Sequence, residues 1–64
     1  MNTIDANIAT CKLRIEDMEQ TMRYYKKQGA HWLAAKVKEI IQDEISYLQQ
    51  MEDMKRMLSE VNVK

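Results

Sequence analysis

The sequence has no proline and a single glycine, Gly29. Without proline, nothing forces a helix to kink or stop. Without a second glycine, no other position offers an easy left-handed turn, and a glycine-rich phosphate loop is excluded. Cys11 is the only cysteine and His31 the only histidine. An intramolecular disulfide is therefore impossible, and the four Cys or His ligands of a structural zinc site are not available. Glu-x-x-His pairs of the kind that hold di-iron in helical bundles are also missing. No apolar run approaches the roughly 20 residues needed to span a bilayer. The opening Met1-Asn2-Thr3-Ile4-Asp5 lacks the basic-then-apolar order of a secretory signal.

A net excess of either charge is missing as well. Ten acidic residues balance ten basic ones, so overall charge favours neither nucleic acid nor a membrane surface. A lone thiol at an apolar position reads as a small buried hydrophobe; a reactive thiol would need exposure and basic neighbours. The expected setting is the reducing cytoplasm.

What is present is helical periodicity. Ile4, Ile8, Cys11, Ile15, Met18, Met22 and Tyr25 follow one another at spacings of 4, 3, 4, 3, 4 and 3, an unbroken heptad seam. Leu33, Val37, Ile40, Ile41, Ile45, Leu48, Met51, Met54, Met57, Leu58 and Val61 form a second, broader apolar set. Between the two lies Lys26-Lys27-Gln28-Gly29-Ala30. Here glycine can close a helix, and two lysines suit its carbonyl-rich end. The pattern predicts an all-α, single-domain helical hairpin: helix one over about 3–27, a bend at about 28–30, and helix two over about 31–61. In that register Tyr25 lies near Leu33, Met22 near Val37, Ile8 near Met51 and Ile4 near Met54.

A chain of 64 residues buries little surface alone. The adjacent Ile40 and Ile41 widen the stripe of helix two beyond a simple two-stranded seam. Helix two, at about 46 Å, also outreaches helix one, at about 37 Å. Met57, Leu58, Val61 and Val63 therefore overhang. The expectation is a homodimeric four-helix bundle of antiparallel hairpins, with Ile41, Ile45, Leu48, Met57, Leu58 and Val61 at the dimer interface. Glu44 interrupts the apolar stripe. Either the register shifts so that Ile41, Ile45 and Leu48 face inward with Glu44 at the rim, or Glu44 is a polar residue that fixes register.

No arrangement of nucleophile and base, metal ligands or paired carboxylates emerges, so the sequence reads as non-enzymatic, with no cofactor and no metal. The distribution of charge is more informative. Between Glu19 and Glu39 there is no acid, while Arg23, Lys26, Lys27, Lys36 and Lys38 occur among Tyr24, Tyr25 and Trp32. A hairpin gathers these at its closed end. Arg23, Lys26, Lys27, Trp32, Lys36 and Lys38 are the candidate partner-binding residues. They point first to a protein partner that is regulated or inhibited, second to nucleic acid, and third to a structural subunit of a larger assembly. The methionines Met51, Met54 and Met57 are core or interface fillers, or else a groove for a partner helix. Hairpin dimers of this layout serve many unrelated small bacterial and phage regulators, and layout alone implies no function.

Overall fold

In the computed structural model, which describes residues 3–62, two helices run antiparallel: α1 over Thr3–Lys27 and α2 over His31–Asn62. The hairpin and its bend lie where the heptad pattern and the glycine predict them. Val63, expected in the overhang, falls outside the described residues. No helix among the described residues is long and apolar enough to cross a membrane.

The bend is made by backbone hydrogen bonds that only a left-handed residue permits. Gly29 has φ 76°. The amide of Ala30 donates to the carbonyl of Tyr25 at 2.9 Å, and that of Gly29 to Lys26 at 3.1 Å. This is the paired 6→1 and 5→2 pattern of a Schellman motif, which satisfies carbonyls that a helix end would otherwise leave open. Asp5 in the first turn of α1 and Lys26 and Lys27 in its last turn complement the helix dipole. The next helix starts at once, with the amide of Ala34 donating to the carbonyl of Ala30 at 3.1 Å. Ala30 has no side-chain oxygen to cap it.

Between the helices the buried residues are few: Ile8, Cys11, Ala34, Ile41 and Met51. Two ion pairs set the register, Asp5 Oδ1 to Lys55 Nζ at 2.7 Å and Arg14 Nε to Glu44 Oε1 at 3.0 Å. They hold Ile8 level with Met51, as the pattern implies. On α2 the inward line is Ala34, Val37, Ile41, Glu44, Leu48, Met51 and Lys55, again a heptad seam. Of the two readings of Glu44, the structure has the one in which it stays on the seam; Ile45 does not turn inward but is exposed. Beneath the bend the buried residue is Ala34, whose small side chain lets two helices joined by three residues approach closely. At the open end Lys55 takes the next heptad position of α2 and pairs with Asp5, while Met54 is 45% exposed.

Substituting Gly29 is expected to strain the turn. A Cβ at this position meets no atom within 4 Å, so the penalty of Gly29→Ala is purely conformational. It should lower stability by about 1–2 kcal/mol in urea unfolding. Ala30→Asp, by adding the missing cap, should raise it by about 1 kcal/mol.

Candidate interaction site

The closed end collects what the charge pattern promised. Arg23, Lys26 and Lys27 come from the last turns of α1, and Trp32, Lys36 and Lys38 from the first turns of α2; all six are exposed. Trp32 is the most open large apolar side chain among the described residues, at 69% exposure. Tyr25 is half-buried on the seam and meets exposed Tyr24 edge-on, with ring centroids 5.8 Å apart. Only one cation of the six-residue set is drawn toward an acid: Lys36 Nζ lies 3.8 Å from Glu39 Oε2, both side chains in water. A pair so exposed neutralises little. Helical position spreads the cations around the tip, with Lys26 and Lys38 on one flank of the hairpin and Lys36 on the other. The arrangement is a charged collar around an aromatic end, suited to point contacts with an acidic surface.

The residues expected at the dimer interface divide in two. Ile41 is 6% exposed and consumed by packing against α1, and Leu48 is half-buried on the same seam. Ile41 thus has almost no surface left to offer a second chain, because the wide stripe splits between Ile40 and Ile41. Ile45, Met57, Leu58 and Val61 remain exposed. The last three extend past the start of α1, as the unequal helix lengths require. A further outward row was not singled out from the sequence, although its spacing is visible there: Leu33, Ile40, Tyr47, Met54 and Val61 recur at every seventh position.

The middle of the hairpin holds a polar cluster. Cys11 is fully buried, and Arg14 Nη2 reaches its Sγ at 3.7 Å. Contact with Cys11, and next the Glu44 carboxylate, hold the Arg14 guanidinium above its ordinary pKa, so it stays charged at any physiological pH. Glu44 Oε1 has no accessible surface of its own. It lies within ion-pair distance of Arg14 Nε, but the N–H is not aimed to form a hydrogen bond. The pairing is thus mainly electrostatic. A thiol shielded in this way cannot reach a substrate. Near the open end, Ile8, Lys12, Glu52, Lys55, Arg56 and Ser59 line a shallow open groove of about 400 Å³. Its charges are of both signs, with no nucleophile–base pair. Among the described residues, no group of three or more His, Cys, Asp or Glu side chains is placed to hold a metal. The cross-helix pairs Asp5–Lys55 and Arg14–Glu44 were not foreseen, since each joins positions far apart in the chain.

Glu44 on the seam is expected to stabilise the hairpin less than a packed apolar residue would. Glu44→Leu should raise unfolding stability by about 1–2 kcal/mol, since a packed apolar residue avoids the desolvation of a seam carboxylate. Arg14→Ala should lower it, by leaving that carboxylate without its counter-charge. Urea denaturation of the two single variants and the double variant measures the coupling, which disappears once Glu44 is leucine.

Comparison with protein-family models, with curated proteins and with solved structures finds no match, so the functional reading rests on the residues of this chain.

Proposed function

We propose that this chain is a small, non-enzymatic interaction protein that works as a homodimer in the cytoplasm and regulates or inhibits a larger protein by binding it through the hairpin tip. The observation that carries the reading is Trp32, left 69% exposed within a collar of Arg23, Lys26, Lys27, Lys36 and Lys38. A tryptophan held in water by a rigid helix start is ready-made contact area, and tryptophan and arginine are enriched where binding energy concentrates. The cations select an acidic partner surface and speed encounter with it. Dimerisation is supported by the short list of buried residues, too small a core for an elongated pair of helices to stand on alone.

The same collar suits phosphates, which makes nucleic acid the second reading. It is disfavoured by a net charge of zero and by the small number of cations at each tip. The two readings separate by salt. Binding to nucleic acid would weaken steeply, with a log–log slope close to the number of phosphates neutralised.

Affinity capture from the native host, comparing wild type with Lys26→Glu/Lys27→Glu and with Trp32→Ala, tests the proposal. A specific protein should be retained by wild type and lost, or weakened by about tenfold or more, in both variants. Equal capture by all three would remove the tip from consideration. Nuclease-sensitive capture would move the assignment to nucleic acid.

A further inference from the structure

We infer that the row Leu33, Ile40, Tyr47, Met54 and Val61 is the face on which a second copy of this chain docks, its α2 lying antiparallel on α2 of the first about a two-fold axis at Tyr47. This rests on the dimeric reading above and adds to it the face, the direction and the centre.

The row is singular in composition. On the flank of α2 that it occupies, every seventh residue is apolar across the full length of the helix. The opposite flank of α2 runs Lys38, Ile45, Glu52 and Ser59. The corresponding flanks of α1 run Asn7, Arg14, Thr21 and Asp5, Lys12, Glu19, both polar throughout. An apolar row running beside a seam that is already filled lies edgewise to the hairpin, where only another helix can cover it. Ile40, Tyr47, Met54 and Val61 are 54%, 42%, 45% and 67% exposed and Leu33 is half-buried, so α1 leaves much of the row open.

Area decides how much is uncovered. The chain exposes 5166 Å². A compact folded chain of 7.6 kDa exposes about 4,300 Å². The excess, about 900 Å² per chain, matches the roughly 800 Å² that each partner contributes to a stable interface. The shape says the same: the hairpin measures 55 × 18 × 11 Å, one helix thick across its narrow dimension.

The row admits antiparallel pairing, and charge selects that direction over parallel. Tyr47 is its midpoint, with Ile40 and Met54 equally distant on either side and Leu33 and Val61 equally distant beyond them. Antiparallel pairing about Tyr47 therefore sets Ile40 against Met54 of the second copy and Leu33 against Val61 of the second copy. The overhanging Met57 and Leu58 then come level with Val37 and Lys36 of the other chain, and Val61 with Leu33. Parallel pairing would instead crowd Lys26, Lys27, Lys36 and Lys38 of both copies at one end, a like-charge arrangement with nothing to offset it. Antiparallel pairing sends the two basic tips to opposite poles.

Sedimentation of the wild-type chain combined with cysteine cross-linking tests this. Buried Cys11 serves as the silent background, and Leu13→Cys, on the exposed outer face of α1, as the control. Tyr47→Cys should oxidise to a self-linked dimer in high yield. A mixture of Ile40→Cys with Met54→Cys should link to each other well above either with itself. Tyr47→Lys, at a position 42% exposed in the hairpin, should weaken dimerisation by about a hundredfold while leaving the helical content of the single chain unchanged. A wild-type dimer that gives no link at Tyr47, or links Ile40→Cys chiefly to itself, overturns the proposed face or direction and leaves dimerisation standing. A helical, cooperatively melting single chain at micromolar concentration overturns both.

Discussion

Two rigid helices joined by a three-residue turn can touch along only one line, and every other property of this chain follows from that geometry. The turn depends on Gly29 at φ 76°, which lets the amides of Ala30 and Gly29 close the end of α1. Along the single line the side chains are modest, with Cys11 at its middle and Ala34 beneath the bend, so the helices approach closely but bury few large groups. Such a seam aligns two helices without supplying much apolar burial, which is the dominant favourable term in folding.

Polar residues on that seam give up further burial in return for a defined register. Glu44 and Lys55 take positions that aliphatic residues would fill to greater stabilising effect, and each finds an opposite charge on α1, Arg14 and Asp5. A slip by one heptad would separate both pairs at once. The apolar contacts alone discriminate poorly, because isoleucine and methionine recur along both helices and pack adequately in neighbouring registers. Charged pairs with long reach but fixed sign remove that ambiguity.

Segregation of surface character is the second consequence. With α1 polar on both flanks, a continuous apolar row lies along one flank of α2 and reaches its overhang, while Arg23, Lys26, Lys27, Lys36 and Lys38 gather at the bend. The two surfaces meet only near the bend, where Leu33 of the row adjoins Trp32, so a chain can bury the row against its own copy and still present the cations of the tip to a different molecule. The central ion-pair cluster, by contrast, lies between the helices: its thiol is fully shielded and its arginine is held charged.

The sequence by itself determined the helices, the bend and the basic character of the tip. Heptad spacing, a lone glycine and an acid-free stretch from Arg23 to Lys38 are local signals that survive without knowledge of neighbours. It also located the overhang, because helix length is simply residue count. Only tertiary structure decided which of two adjacent isoleucines faces inward. Ile40 and Ile41 are equally apolar, and the stripe is wide enough for either, so the choice is made by packing against α1. Ala34 and Lys55 were illegible for a related reason: a small residue and a charged one carry no hydrophobic signal, yet a close crossing and an aligned Asp5 bring both onto the seam. Glu44 stood out from the sequence, but its role depended on Arg14, thirty positions away, and sequence distance says nothing about which charges a fold will bring together.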